Sequence, residues 1–455
     1  MPELPTIVES AAELQAGRLT PMALVEGCLD RIRLLEPQVR AWVLVDEVGA
    51  REAARRLGDE LRAGHRRGPL HGIPLGIKDI IDVVGWPTRA GSPLREGHVA
   101  QGDATITARL REAGAILLGK TVTTEFASFD PPLTRNPWNL ERTPGGSSSG
   151  SAAAVALGMC LGAIGSQTGG SITRPASYCG VAGCKPTLGR VSLIGLVPFS
   201  FHLDHPGPMA RTVGDLAAIL AVIAGFDKTD PVSVDVPADD YLAACQAAAP
   251  FEDDGPRLGV LESYFMEVAS PAIREAVRHA LDALRADGTT VATARLPASF
   301  AEVHQHHRRI MAVEAAHVHR MIFPSRRAQF GPNIASLLDE GLATAAIDYA
   351  ASLAHQQRFR REMLTALDGF DALVTPATAD TAPDTSTTGD PKFNSPWSHA
   401  GLPTVSFPCG LAGGMPLALQ LIGRPFGEGP LLRAAAWCEA RLQFDACPPL
   451  LAAGT

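Results

Sequence analysis

Two short loops rich in glycine and serine carry the side chains of this sequence best suited to covalent chemistry. Residues 145–151 read Gly-Gly-Ser-Ser-Ser-Gly-Ser, and residues 165–171 read Gly-Ser-Gln-Thr-Gly-Gly-Ser. Serine hydroxyls on backbone that glycine frees to approach a ligand suit acyl transfer, in which a serine attacks a carbonyl carbon. The N–H groups of a Gly-Gly turn can also converge on one oxygen as an oxyanion hole. Either loop alone could be an ordinary flexible turn, but two together predict an acyl-transfer site.

A serine nucleophile needs a base, and the sequence offers more than one candidate for that base. Residues 146–150 match Gly-x-Ser-x-Gly, the motif of Ser-His-Asp hydrolases, but that motif follows a strand and the proline-containing segment before it is a poor strand. None of the 13 histidines adjoins either loop, and neither loop has the Gly-Lys-Ser/Thr of a phosphate-binding loop. Lysine can lose its proton whereas arginine cannot. The chain has five lysines, at positions 78, 120, 185, 228 and 392.

The elements that must position these loops alternate between strands and helices. A strand is predicted at 73–77, just before Lys78, and an apolar strand at 160–164 leads into the second loop. A small-residue helix is predicted at 151–159, after the first loop. The further predicted elements are a helix capped by Asp103 and ending near 113, a helix at 213–225, a helix at 271–286 between strands at 257–261 and 290–294, strands at 372–375, 404–408 and 417–422, and a surface loop at 376–390. This alternation predicts an α/β fold with helices on both faces of a sheet.

Composition narrows the partners and the compartment. The net charge of −8 is spread along the chain without a basic block, so we expect no nucleic acid partner. No apolar run is long enough to span a membrane, and the N-terminus lacks the regions of a signal peptide. The eight cysteines are scattered without a CxxC pair, which is typical of reduced thiols. We therefore expect a cytoplasmic protein.

Three separated motifs resemble those of the amidase signature family. They are residues 72–79 (Gly-Ile-Pro-Leu-Gly-Ile-Lys-Asp), residues 145–151, and residues 169–176 (Gly-Gly-Ser-Ile-Thr-Arg-Pro-Ala). The resemblance covers nearly the whole chain. It implies one large domain over 1–455 with a central mixed sheet, a signature core at about 70–215 and a less typical helical and βα segment at about 230–370. It also implies a cofactor-independent enzyme and a possible homodimer.

The resemblance implies a role for each matching position. These are Lys78 as the base, Ser147 as the bridging serine after a cis peptide bond, Ser171 as the nucleophile, the backbone N–H groups of Thr168, Gly169, Gly170 and Ser171 as the oxyanion hole, Gly146 as a substrate-binding residue and Ser166 as a support for the lysine. In this Ser-cisSer-Lys triad, the proton of the nucleophile reaches the lysine through the bridging serine.

One departure from the commonest family pattern bears on the substrate. Most members have arginine two residues after the nucleophile, where this chain has Thr173, and Arg174 follows one residue later. Malonamidase-type members with arginine at that third position use it to pair with a substrate carboxylate. We therefore predict a substrate with an acid group near its amide. The alternative is a structural ion pair beneath the loop.

Three further features have open interpretations. A histidine-rich stretch with Glu314 could hold a metal or could be an ordinary helix face; its histidines are His304, His306, His307, His317 and His319. Asp79 could tune Lys78 or cap a helix. Ser398 lies where the family often has asparagine, which leaves the far wall of the substrate pocket undefined.

The resemblance leads to one principal function and two alternatives. The principal prediction is a serine amidohydrolase that cleaves the C–N bond of a small-molecule amide through an acyl-enzyme. The first alternative is the glutaminase subunit of a tRNA-dependent amidotransferase. The second is a catalytically inactive binding or scaffold member of the fold, which the filled triad positions disfavour.

Overall fold

One large mixed sheet organises the molecule. The computed structural model describes residues 4–246, 251 and 255–452. The strands in this part of the chain are β1 (Trp42–Val45), β2 (Pro74–Lys78), β3 (Ile116–Thr121), β4 (Gly162–Gln167), β5 (Ala182–Lys185), β6 (His205–Ala210), β7 (Arg257–Leu261), β8 (Thr290–Ala294), β9 (Ala372–Pro376), β10 (Thr404–Ala412) and β11 (Met415–Ile422). They lie in the order β1-β3-β2-β4-β6-β5-β10-β11-β9-β7-β8.

The direction of pairing changes along the sheet. β2 runs parallel to both β3 and β4, and β7 runs parallel to both β8 and β9. The central strands β4, β6, β5, β10, β11 and β9 pair antiparallel. Because β2 and β4 are parallel neighbours, their carboxyl ends meet at one edge of the sheet. Lys78 ends β2, and the second glycine/serine loop continues from β4 at that edge.

Helices cover both faces of the sheet. Those in the described residues are α1 (Ile7–Gln15), α2 (Pro21–Val39), α3 (Glu47–Arg62), α4 (Thr105–Glu112), α5 (Ser149–Ala156), α6 (Thr173–Cys179), α7 (Val213–Ile223), α8 (Tyr241–Gln246), α9 (Phe265–Val268), α10 (Pro271–Ala286), α11 (Val303–His319), α12 (Phe323–Arg326), α13 (Pro332–Ala343), α14 (Ala346–Ala366), α15 (Ser395–His399), α16 (Glu428–Leu442) and α17 (Pro449–Ala452). The apolar residues of α2, α3 and α5 share one buried cluster, and those of α7, α10, α11 and α16 share another. Burial of apolar side chains in both clusters stabilises the fold.

The predicted α/β class is confirmed, and most element boundaries differ by a few residues. The βα unit at 257–294 has the predicted bounds. Asp103 does not cap the following helix, because Ala104 is its N-cap and Asp103 Oδ1 accepts the Val84 N–H at 2.8 Å. Helix α5 begins at Ser149, inside the first loop, so two of the loop serines belong to its first turn. Among the described residues, no helix combines the length and apolar character needed to cross a bilayer.

Candidate active site

The end of β2 places a lysine amine inside the protein. Lys78 is 0% exposed, and its Nζ lies 2.7 Å from Ser147 Oγ and 2.8 Å from Ser166 Oγ. Burial lowers the pKa of Lys78 well below its ordinary value, and the charge of Asp204 acts in the opposite direction. Loss of solvation therefore favours the neutral amine, which is the form that can accept a proton.

The first loop directs one of its hydroxyls toward this amine. The Gly146–Ser147 peptide bond is cis. The Ser149 hydroxyl donates instead to Gly145 O at 2.6 Å, and the Ser148 hydroxyl donates to Ser166 O at 3.2 Å. Ser148 is the central serine of the Gly-x-Ser-x-Gly match, and it follows loop residues rather than a strand. Its hydroxyl is occupied by backbone, so the arrangement does not favour a Ser-His-Asp hydrolase.

The second loop turns between β4 and α6 and carries Ser171. Ser171 is 8% exposed, and its hydroxyl has no hydrogen-bond partner among the described residues. Gln167 Oε1 accepts the N–H groups of Ile172 and Thr173 at 2.9 and 3.0 Å, which fixes the turn around this serine. The Ser148 N–H donates to Ser171 O at 3.3 Å and joins the two loops.

The glycines of the second loop are held close to the segment before β10. A Cβ on Gly170 would lie 2.7 Å from Asn394 Oδ1, a distance that real Cβ atoms do not adopt. The Gly169 carbonyl accepts the Ser398 hydroxyl at 3.0 Å. Ser398 thus supports the loop from the position where the family often has asparagine.

Arg174 is a buried guanidinium without a carboxylate partner among the described residues. It is 2% exposed, and its Nη2 donates to Gly146 O at 2.6 Å and to Thr388 Oγ1 at 3.4 Å. Its Nε and Nη1 have no hydrogen-bond partner in the described part of the chain. Within that part, the structural ion pair considered for this arginine is therefore not formed. A buried charge with unsatisfied donors is costly unless a ligand pairs with it.

Thr388 lies in the stretch predicted as a surface loop, residues 376–390. Its side chain is buried against Arg174, so part of this loop faces the site rather than solvent. A composition of threonine, proline and aspartate predicts an irregular backbone correctly but does not report which side chains point inward.

Asp79, the neighbour of Lys78, pairs with a different lysine. Its Oδ1 lies 2.8 Å from Lys120 Nζ, and its Oδ2 accepts the Arg89 N–H at 3.2 Å. Both side chains of the ion pair are about 1% exposed. Asp79 therefore holds the end of β2 against β3, which differs from both roles considered for it.

The histidine-rich stretch lies on α11, and several of its ring nitrogens contact protein groups. His304 Nδ1 lies 3.3 Å from Ser395 Oγ, and His307 Nε2 lies 3.0 Å from Thr168 O. Glu314 accepts hydrogen bonds from Ser200 and Tyr349 at 2.5 and 2.7 Å. The predicted metal alternative built on His304 and His307 is not formed in the described residues.

A different group on this side of the protein has metal-ligand chemistry. Glu302, His306 and His355 place their ligand atoms within 4.8 Å of one another. However, His355 Nε2 lies 2.9 Å from Ser299 O, and its Nδ1 lies 3.0 Å from His399 Nε2. Both nitrogens of His355 are engaged, so this group is a hydrogen-bonded histidine cluster rather than a vacant ligand set.

The site includes side chains whose place in it the sequence does not predict. They are Gln167, Asp204, His307, Thr388 and Asn394. Gln167 lies within the second loop, so its place in the site could have been suspected from its serine and glycine neighbours. The other four lie 33 or more residues from Ser171, and no spacing rule connects them to it.

Comparisons with known proteins agree with this geometry. A family model described as Amidase matches residues 23–432. The A-subunit of the glutamyl-tRNA(Gln) amidotransferase of Roseiflexus sp. (strain RS-1) is 40% identical over 464 aligned residues, which cover 94% of this chain and 94% of that protein. The peptide amidase of Stenotrophomonas maltophilia is 32% identical, with a TM-score of 0.85 over 97% of this chain and 98% of that one. The A-subunit of the Thermotoga maritima glutamyl-tRNA(Gln) amidotransferase is 30% identical, with a TM-score of 0.78 over 96% and 95%.

These relatives overturn the expectation that nucleic acid is not a partner. That expectation rests on the net charge and on the absence of a basic block. The Roseiflexus and Thermotoga relatives are subunits of an enzyme named for a tRNA-bound substrate, so the expectation is wrong. In an enzyme of several subunits, the net charge of one subunit does not show whether the other subunits bind nucleic acid. The predicted homodimer and cytoplasmic location stay predictions.

Proposed function

This chain belongs to the amidase family, whose members act on amide C–N bonds, and we propose that it hydrolyses a carboxamide through an acyl-enzyme on Ser171. The observation that carries the proposal is the buried Lys78 amine lying between the hydroxyls of Ser147 and Ser166. Among the described residues, Lys78 makes no ion pair. The amine can accept a proton, and it lies beside a serine that adjoins the second serine loop. Acyl transfer needs such a base close to a serine nucleophile.

The reaction follows from the protonation states that burial favours. Neutral Lys78 accepts the Ser147 proton while Ser147 accepts the proton of Ser171, and Ser171 Oγ forms a bond to the amide carbon. The carbonyl oxygen becomes an oxyanion, which the N–H groups of residues 168–171 stabilise. The proton returns through Ser147 to the leaving nitrogen as the C–N bond breaks, releasing an amine or ammonia. Water then attacks the ester carbon and gives a proton to the same relay. The relay returns this proton to Ser171 Oγ as the acid is released.

The pH dependence of the reaction should report Lys78. Protonated Lys78 cannot act as the base, so kcat/KM should fall about tenfold per pH unit below the pKa of Lys78 in the free enzyme. Because burial lowers this pKa, activity should persist well below the pH at which an exposed lysine loses its proton. A pH profile of kcat/KM measures the midpoint directly. A profile that rises only in the range of an ordinary lysine would contradict the proposed base.

Arg174 supports a substrate that carries a carboxylate as well as the amide. Two of its guanidinium nitrogens lack partners in the described part of the chain. The residue follows the second loop and donates to Gly146 O of the first loop, so it connects the two loops. A carboxylate that accepts hydrogen bonds from this guanidinium would pair the buried charge and orient the substrate. The proposed substrate class is therefore an amide-acid.

The second candidate function is the glutaminase subunit of an amidotransferase. The specific observation in its favour is the 40% identity to the Roseiflexus amidotransferase protein over 94% of both chains. Glutamine is itself an amide-acid, so Arg174 fits this function too. The two functions share the chemistry at Ser171 and differ in the fate of the released nitrogen. They separate experimentally: the isolated chain hydrolyses amide-acids at a full rate if it acts alone, whereas an amidotransferase component requires its partners and glutamine for full activity.

Arg174→Ala should lose activity selectively on amide-acids. We expect kcat/KM to fall about 100-fold or more on malonamate or glutamine-type substrates, because a buried guanidinium–carboxylate pair is a strong interaction. Neutral amides of the same length should lose less than a few-fold. The measurement is steady-state kinetics on matched pairs of amide-acid and neutral amide, with Arg174→Lys as a charge-conserving control that lacks the bidentate geometry. Equal losses on both substrate types would reject carboxylate recognition.

A further inference from the structure

Thr168 is held by two side chains that come from outside its own loop. It is the first residue after β4, and its backbone N–H is one of the proposed oxyanion donors. Its hydroxyl donates to Asp204 Oδ1 at 2.6 Å, and its carbonyl oxygen accepts from His307 Nε2 at 3.0 Å. The hydroxyl and the carbonyl of one residue are thus fixed from two separate parts of the chain.

Asp204 is itself rigidly placed. Its Oδ2 accepts the N–H groups of Phe199 and Ser200 at 2.8 and 2.9 Å. The next residue, His205, begins β6 and pairs with Gln167 at the end of β4. Because the two strands are hydrogen-bonded neighbours, Asp204 and Thr168 leave the sheet side by side, and the carboxylate cannot swing away without losing three hydrogen bonds.

His307 approaches from α11, in the segment predicted to be less typical of the family. A carbonyl oxygen can only accept, so the hydrogen bond to Thr168 assigns the proton of this ring to Nε2. The ring is buried, and burial lowers the pKa of His307 to about 4. The imidazole is therefore neutral near pH 7 and acts at Thr168 as a fixed N–H donor.

The neighbouring residues of the turn are held differently. Ile172 and Thr173 are fixed by Gln167, which lies on the same turn, and Gly169 is fixed by Ser398 through its carbonyl. Thr168 has no glycine freedom and lies where the extended strand becomes the turn. The Thr168 carbonyl and the Gly169 N–H belong to one planar peptide group, so fixing the carbonyl also fixes the direction of that N–H. A displacement of about 1 Å in an oxyanion donor costs a large part of its contribution to rate.

We propose that Asp204 and His307 are positioning residues that hold Thr168 so that the amides of residues 168–171 converge on the oxyanion. The three residues Thr168, Asp204 and His307 form what we name the Thr168 clamp. The inference rests on the proposed function, because it concerns the oxyanion of that reaction. It assigns a role to His307, a residue that lies outside all three signature motifs.

The clamp is tested by variants that remove one hydrogen bond at a time. Thr168→Val keeps the shape of the side chain and removes its hydroxyl, and Thr168→Ser restores it. His307→Leu removes the ring donor, and His307→Gln supplies an N–H donor on a side chain of similar reach. We expect kcat to fall about 10- to 100-fold in Thr168→Val, Asp204→Ala and His307→Leu, with KM within about threefold, and Thr168→Ser to recover most of the loss.

Two further measurements test the Thr168 clamp: the activity of a double variant and the binding of an oxyanion mimic. Asp204→Ala combined with Thr168→Val should lose no more than Asp204→Ala alone, because Asp204→Ala already removes the hydrogen bond to the Thr168 hydroxyl. A small alkylboronic acid, which forms a tetrahedral anion on a serine, should bind each loss variant about 10-fold or more weakly than wild type. Unchanged boronate affinity in these variants, or equal kcat in Thr168→Val and Thr168→Ser, would overturn the clamp.

Measuring boronate binding also distinguishes failure of the Thr168 clamp from failure of the proposed function. Wild type that binds the boronate while the loss variants bind it equally well overturns the clamp and leaves the serine mechanism standing. Wild type that neither binds the boronate nor hydrolyses amides overturns both. Thermal unfolding of each variant verifies that the losses belong to folded protein.

Discussion

Lys78→Ala should reduce kcat by about 10,000-fold while the protein stays folded. In the proposed mechanism this residue supplies the amine that takes the proton of Ser171 through Ser147, and removal of one member of a nucleophile–base unit typically costs this much. The side chain is wholly buried and makes no ion pair in the described residues, so its removal leaves no unpaired charge. We expect the unfolding midpoint to change by only a few degrees. The measurements are single-turnover kinetics and thermal unfolding.

Lys120→Ala is the matched control for this experiment. Lys120 is equally buried and sits on the adjacent strand, but it pairs with Asp79. Its removal leaves a carboxylate buried without its partner, which costs about 3–5 kcal/mol of the free energy of unfolding. Lys78→Ala should thus lose activity with little loss of stability, and Lys120→Ala should lose stability first. Turnover near the wild-type rate in Lys78→Ala would reject the lysine as the base.

The sequence predicts those features of the site that depend on local patterning. Lys78 follows an apolar strand, and Ser147 and Ser171 lie in glycine-rich turns at helix starts, so each can be placed on an element from the residues around it. Parallel pairing of β2 and β4 then explains why the lysine and the second loop meet. The strand-and-helix alternation also predicts the fold class, since periodicity is a local property.

The features that the sequence does not predict depend on contacts between distant segments. His307 and Thr168 are separated by 139 positions, and nothing in the pattern of α11 marks one histidine among five as the one that reaches the loop. The turn-forming neighbours of Thr388 predict a surface loop, although burial depends on what packs against them. The net charge of a single chain fails as a guide to nucleic acid partners for a related reason, since it says nothing about contacts that other subunits of an enzyme make.

The two loops offer several serines, and their hydrogen bonds support Ser171 as the proposed nucleophile. Ser147 lies against Lys78, Ser148 and Ser149 donate to backbone carbonyls, and Ser166 supports the lysine. The hydroxyl of Ser171 alone among these five has no partner in the described residues. A nucleophile must be free to approach a carbonyl carbon, whereas the other hydroxyls would first have to break a buried hydrogen bond.

Ser171→Ala should therefore abolish both turnover and covalent labelling. We expect kcat to fall at least about 1,000-fold, because no other hydroxyl among these five serines is free to attack. A fluorophosphonate probe should modify wild type at one serine, and peptide mass mapping should place the adduct on Ser171. Ser149→Ala is the matched control: it removes a buried serine of the first loop that donates to Gly145 O, and it should still be labelled at Ser171. An adduct on Ser147 or Ser148, or labelling that survives in Ser171→Ala, would reassign the nucleophile and with it the direction of the proton relay.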